Sequence, residues 1–222
     1  GSSSTGTVIP SGGSTGFIND LGECVVETAW SQGSTWPDGI GVAVNLSAVQ
    51  FRCNDLVALV TETLSKTGLS SSRLELEVTE SAVLQDIDAT STILGDLQEL
   101  GVKISLDDFG TGYSSLNYLH KLPIDTLKVD RSFIMEITEK QNSLVLMRGV
   151  TRLAQELGLV VILEGIETQD QLELVAEELP DAQVQGFLFG MPLPASGIKQ
   201  LLQSSSVHGK GAEFFKSFEK VG

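Results

Sequence analysis

Arg73-Leu-Glu-Leu-Glu-Val-Thr79 is the stretch on which the fold turns. Leu74, Leu76 and Val78 alternate with Glu75, Glu77 and Thr79, the period of a β-strand whose two faces meet different surroundings. The apolar face belongs against helices, which turns Glu77 toward an interior. An edge strand with one solvated face would alternate in the same way. Outward from this stretch, further strand-like runs read at Ile40–Val44, Val102–Leu106, Ile124–Val129, Leu159–Leu163 and Ala182–Gln185. Helical patterns with readable ends fill the intervals. Asn54 or Asp55 can cap a helix that stops at Gly68, and Asp88 starts one that stops at Gly101. Asn142–Leu157 stops at Gly158, and Thr168 with Gln171 has capping-box spacing. Six repeats of strand then helix predict a parallel α/β sheet, either doubly wound or closed as a barrel.

Composition bounds the rest. The 222 residues suit one domain and are somewhat short for a (β/α)8 barrel, typically about 250 residues. Apolar residues make up 41% and charged residues 19%, enough for a sizeable core. Fourteen basic residues against 29 acidic ones give −15, which argues against polymeric nucleic acid and anionic membrane as partners. Cys24 and Cys53 form no CxxC pair, so a reducing compartment is the simpler reading. The longest apolar run, Leu159–Leu163, is too short to span a bilayer, and no signal pattern opens the chain. A cytoplasmic location is expected. Thirteen of the first sixteen residues are Gly, Ser or Thr, so residues 1–16 read as a flexible linker or cloning scar. Helical spacing begins at Phe17, residues 17–203 form the folded domain, and 204–222 form a polar tail that docks as a short helix or stays loose.

Nearly every strand run ends on an ionisable or metal-capable side chain. Asn45 follows the first, Glu77 lies in the second with Glu80 beyond, and Asp107 and Asp108 follow the third. Lys128 lies in the fourth with Asp130 after it, Glu164 follows the fifth, and Gln185 ends the sixth. Any one of these reads equally well as a turn former or helix cap. In a parallel barrel, however, the C-terminal strand ends open on one face, which holds the active site. Lys128 alone does not balance Glu77, Asp107, Asp108 and Glu164; a divalent metal, or a pair sharing Asp107, would. Oxygen ligands favour Mg²⁺ or Mn²⁺ over zinc. Asp107–Leu116, with its glycines and serines, reads as a loop whose amides can reach a phosphate. No GxxxxGK[ST], GxGxxG or GxSxG occurs, and His120 and His208 have no zinc-type partners. Trp30, Trp36 and Cys24 read as packing residues.

Val44-Asn-Leu-Ser47, Leu74–Ser81, Asp107–Leu116, Leu122–Ile134, Glu164-Gly-Ile-Glu-Thr168 and Gln185–Gly190 together resemble the EAL domain, the bacterial cyclic-di-GMP phosphodiesterase family. The resemblance implies a modified TIM-type (β/α)8 barrel, with six strands readable here and two expected ahead of Phe17. It implies opening of one phosphodiester of cyclic di-GMP to give linear pGpG. Asn45, Glu77 and Asp107 would bind one Mg²⁺ or Mn²⁺, and Asp107 would bridge to a second held with Asp108 and Glu164. Lys128 would contact the attacking water, with Glu164 or Lys128 helping to deprotonate it. Glu80 would anchor the Asp107–Leu116 loop, and Gln185, Ser47 and Asp130 would line the substrate side. A larger multidomain signalling protein is expected around the domain, with a homodimer left open. The signature Glu-Ala-Leu, followed in the family by Leu-Arg, occurs nowhere in these 222 residues. A strand bearing Gln-Pro-Ile is missing too, and Val49 stands where a basic residue is common. These departures predict impaired turnover, and they leave as the alternative a cyclic-di-GMP receptor or protein-interaction module without catalysis.

Overall fold

A computed structural model describes residues 30–37, 40–46, 48, 56–111, 116–135, 137–138, 141–194, 197–198 and 200. Strands and helices alternate as β1 (Val42–Leu46), α1 (Leu56–Thr67), β2 (Leu74–Thr79), α2 (Glu80–Val83), α3 (Ile87–Glu99), β3 (Lys103–Phe109), β4 (Thr126–Val129), α4 (Arg131–Met135), α5 (Gln141–Glu156), β5 (Val160–Glu164), α6 (Gln169–Glu178) and β6 (Gln183–Gln185). The six strands form one sheet in the order β1-β2-β3-β4-β5-β6, and every neighbouring pair is parallel. A doubly wound sheet reverses its strand order at a switch point. An unbroken consecutive order is instead the wall of a TIM-type barrel, so the choice left open by the sequence goes to the barrel. Among the described residues β1 and β6 each have one neighbour.

Alternation explains the wall. In β2, Leu74, Leu76 and Val78 are wholly buried while Glu75, Glu77 and Thr79 are half-buried. The same parity in β1 buries Val42, Val44 and Leu46 and exposes Ala43 and Asn45. The buried set packs with Val60 of α1, Leu94 and Leu97 of α3, and Met147 and Val150 of α5 in one core. Trp30 is fully buried and Trp36 packs against that core, as expected of packing residues. No helix among the described residues is long and apolar enough to cross a membrane.

Helix ends follow local chemistry, with one shift. Thr168 and Gln171 form a full capping box at α6, the Gln171 amide donating to Thr168 Oγ1 at 3.3 Å. At α3 the cap is Asp86, not Asp88: Asp86 has extended backbone and its Oδ1 accepts the Ala89 amide at 3.1 Å. Asp88 lies in the first helical turn, where its own backbone is already helical and cannot serve as the cap. Asn54 and Asp55, and the tails at 1–16 and 204–222, lie outside the described residues.

The strand runs also end later than the sequence suggests. β1 continues through Asn45 and Leu46, β3 through Asp107, Asp108 and Phe109, and β5 through Glu164. Polar side chains do not end these strands, because the backbone stays paired to a neighbour: Asn45 with Glu77, Asp107 with Thr79 and Glu164 with Gln185. At the opposite ends, Asp125 joins three strands. Its Oδ2 accepts the Ile104 amide at 2.8 Å, its amide donates to the Ile104 carbonyl at 2.8 Å, and its carbonyl accepts the Val160 amide at 2.9 Å.

Candidate functional site

Near their C-terminal ends the six strands present one polar row. Asn45 stands beside Glu77 in the β1–β2 register, and Glu164 beside Gln185 in the β5–β6 register. Asp107 on β3 and Lys128 on β4 lie between them. Lys128 is the centre. Its Nζ lies 3.0 Å from Glu77 Oε1, 3.2 Å from Asp107 Oδ1 and 2.8 Å from Glu164 Oε1, and its side chain is only 6% exposed.

One ammonium facing three carboxylates leaves a net negative site. Burial pushes the Glu77 and Glu164 carboxyls above their ordinary range, and Lys128 only partly opposes this. Burial works against the Lys128 charge as well, yet Glu77, Glu164 and Asp107 together outweigh it and hold that amine above its ordinary value. The ammonium is therefore fixed in its charged form. A second cation would relieve the excess of carboxylates.

A bulge sets the acidic pair. Between the partners Leu106↔Leu127 and Phe109↔Val129, β3 advances three residues while β4 advances two. An extra residue of this kind re-aims side chains that would otherwise alternate. It places Asp107 within reach of Lys128 and turns Asp108 to the exposed rim, with Asp108 in left-handed backbone at φ 55°. The Asp108 amide donates to Asp107 Oδ1 at 3.0 Å, and its carbonyl accepts the Thr111 hydroxyl at 3.0 Å. Burial, then Asp107 and Asp130, push the Asp108 carboxyl up.

Glu80 stands apart from this row, at the start of α2. It is 2% exposed, its Oε2 accepts the Gly110 amide at 3.0 Å, and its Oε1 accepts the Tyr118 hydroxyl at 2.6 Å. It thus joins the two ends of the segment after Asp107. Burial first, then the bond to Glu80, push the Tyr118 phenol up. Asp130 caps α4, its Oδ1 accepting the Ser132 amide at 2.9 Å. Asn45 and Gln185 are exposed at the rim, and Ser47 lies outside the described residues. Tyr118 was absent from the residues singled out by sequence. A buried tyrosine requires a partner for its hydroxyl, but nothing in the spacing names Glu80.

The donor chemistry suits a hard divalent ion. Carboxylate oxygens from three strands share one cation position, with an amide on the neighbouring strand and, among the described residues, no thiolate or imidazole beside them. The separations from Lys128 are those of hydrogen bonds. Among the described residues no three Asp, Glu, His or Cys side chains close into a metal cage by themselves. Loading with metal would therefore require the carboxylates to draw in as the ammonium gives way.

Residues 1–192 match the EAL domain family. The cyclic di-GMP phosphodiesterase NbdA of Pseudomonas aeruginosa is 47% identical over 163 residues, 73% of this chain and 21% of NbdA. MucR of the same organism, named a bifunctional diguanylate cyclase/cyclic di-GMP phosphodiesterase, is 43% identical over 203 residues, 90% of this chain and 29% of MucR. The solved c-di-GMP complex of the PaMucR phosphodiesterase superposes with a TM-score of 0.77 at 42% identity, covering 83% of this chain and 76% of that one. The manganese and cyclic-di-GMP complex of BlrP1 from Klebsiella pneumoniae gives a TM-score of 0.74 at 28% identity, covering 81% and 46%. This chain spans 23–29% of the length of three curated relatives that it matches.

Proposed function

The chain belongs to the EAL-domain family, a family of cyclic-di-GMP phosphodiesterases, and from that premise we propose that it is the catalytic-type domain of a larger signalling protein and hydrolyses cyclic di-GMP to linear pGpG. The observation that carries this reading is the convergence of Glu77, Asp107 and Glu164 on Lys128 at the C-terminal rim of a parallel barrel wall. Asn45, Glu77, Asp107, Asp108 and Glu164 would hold Mg²⁺ or Mn²⁺, which supplies Lewis acidity and a water of lowered pKa.

The roles of the side chains follow from their charge states. Lys128, charged while the three carboxylates surround it, can donate to the attacking water or to a phosphate oxygen. Glu164 or Lys128 would help to take the water's proton. The water oxygen bonds to phosphorus, one ribose oxygen leaves, and the ring opens to pGpG. Glu80 positions the segment after Asp107, and Gln185, Ser47 and Asp130 would contact the substrate. A cytoplasmic setting, a linker at 1–16 and a homodimer belong to the same proposal.

Because Glu-Ala-Leu-Leu-Arg is missing from these 222 residues, slow turnover is expected of the chain by itself. The test is incubation with cyclic di-GMP and Mg²⁺ or Mn²⁺, with pGpG followed by chromatography. Turnover at the rate of an intact family enzyme would remove the claim of impairment. No pGpG, together with calorimetric binding of cyclic di-GMP to the metal-free chain, would favour a receptor. Absence of both would favour an interaction module.

A further inference from the structure

We infer that the short helix α4 is a wedge that fixes the spacing of the two acidic turns, with Phe133 as a positioning residue for the divalent-cation site. The inference rests on the reading of that site proposed above.

The two turns come from strands that do not touch. Asp107 and Asp108 lie in the last residues of β3, and Glu164 ends β5, with β4 between them. Each turn carries a glycine in left-handed backbone: Gly110, two residues after Asp108, at φ 99°, and Gly165, directly after Glu164, at φ 81°. A Cβ on Gly110 would lie 2.2 Å from Phe133 Cε2 and 2.5 Å from its Cζ. A Cβ on Gly165 would lie 2.3 Å from Arg131 Cβ and 3.1 Å from Arg131 Cα. Both positions therefore require glycine twice over, for backbone conformation and for space. Both spaces are filled by the same five-residue helix.

α4 is itself held in place. The Asp130 amide donates to the Phe109 carbonyl at 3.3 Å, and the Asp130 carbonyl accepts the Phe133 amide at 3.2 Å. The Asp130 cap fixes the Ser132 amide, and fully buried Ile134 anchors the helix in the core. Arg131 and Phe133, two residues apart and so about 200° apart around the helix, bear on the two turns from opposite sides of α4. Removing the Phe133 ring takes away the bearing of α4 on the Asp107–Asp108 side, so the helix can shift, both turns loosen, and the distance from that pair to Glu164 is no longer set. Packing alone would call for one such contact. Two, each beside a proposed ligand, point to spacing.

The test uses the full 222-residue chain. Mn²⁺ binding is measured by calorimetry without nucleotide, and amide hydrogen exchange is measured in the metal-free protein. Phe133→Ala is expected to weaken Mn²⁺ binding by about tenfold, the loss typical of an outer-shell support. It should speed exchange at the Gly110 and Ile166 amides together, while Phe133→Leu recovers most of the affinity. Met147→Ala, a cavity in the core at α5, should lower stability and leave Mn²⁺ affinity unchanged. The wedge is overturned if Phe133→Ala binds Mn²⁺ like the parent, if Met147→Ala weakens it equally, or if exchange rises at Gly110 alone. If the parent binds no Mn²⁺, the cation reading fails. The wedge is then decided by exchange: acceleration at both turns keeps it, and acceleration at one or neither removes it.

Discussion

The two ends of the same strands treat charge in opposite ways. At the N-terminal end Arg73 donates from Nε to the Ile40 carbonyl and from Nη2 to the Gly33 carbonyl, each at 2.9 Å, and Asp125 is met by the Ile104 amide and by Gln98 Nε2. Backbone groups and a neutral amide satisfy those charges. At the C-terminal end the charges meet one another, three carboxylates about one ammonium, and burial pushes two of those carboxyls up. Among the described residues one end is satisfied and supports stability; the other keeps an excess of carboxylate that the proposed cation would offset. That division is the one expected of a barrel whose chemistry sits at the C-terminal face.

The sharpest way to break this contrast is to remove a charge from each end. Lys128→Met leaves three carboxylates around no cation, so the metal-free protein should lose about 3–5 kcal/mol in urea unfolding. Added Mn²⁺ should restore a large part. Unchanged metal-free stability would mean that the ammonium is not what holds these carboxylates together. Asp107→Asn should cost about 4 kcal/mol of transition-state stabilisation, roughly a thousandfold in metal-dependent pGpG formation, with the far-ultraviolet dichroism preserved. A parent rate in that variant would dismiss the site. Arg73→Ala at the other end should cost about 2–3 kcal/mol of stability through its lost charged hydrogen bonds and leave Mn²⁺ affinity unaltered. A drop in affinity there would show that the two ends are coupled.

Much of this was legible locally. The alternation at Arg73–Thr79, the capping box at Thr168 and the row from Asn45 to Gln185 are patterns within single segments, and the wall and its polar rim follow from them. The shortage of positive charge was legible too, because it needs only a count of side chains at strand ends. What escaped depends on partners. The bulge at Asp107–Asp108 exists only relative to β4, and the Glu80–Tyr118 bond spans 38 residues. Strands ending on polar residues were cut short at Val44 and Leu106, because polarity alone does not distinguish an interior row from a loop. Asp86 in place of Asp88 shows the same limit, since both residue types suit a cap and only backbone conformation chooses.

Smaller effects refine the comparison. Thr168→Ala removes a cap remote from the Lys128 cluster and should cost about 1 kcal/mol in thermal unfolding with no change in turnover. A loss of activity would extend the functional rim into α6. The least effect is a slope. Glu77 and Glu164 are pushed above their ordinary value of 4.5, so the native chain binds protons more tightly than the unfolded one. Their contribution to metal-free stability is fully present below that value and is lost as pH rises through the raised range. Combined Glu77→Gln and Glu164→Gln should flatten this part of the stability–pH curve; an unaltered slope would place the titration elsewhere.

The central claim is that the Lys128-centred carboxylates form a divalent-cation site. Anomalous scattering from crystals of the chain soaked in Mn²⁺ tests it most directly. The account predicts a manganese peak among Glu77, Asp107 and Glu164, with Lys128 Nζ displaced from its three carboxylate contacts. No peak at saturating Mn²⁺, with Lys128 still bound by all three carboxylates, would contradict it.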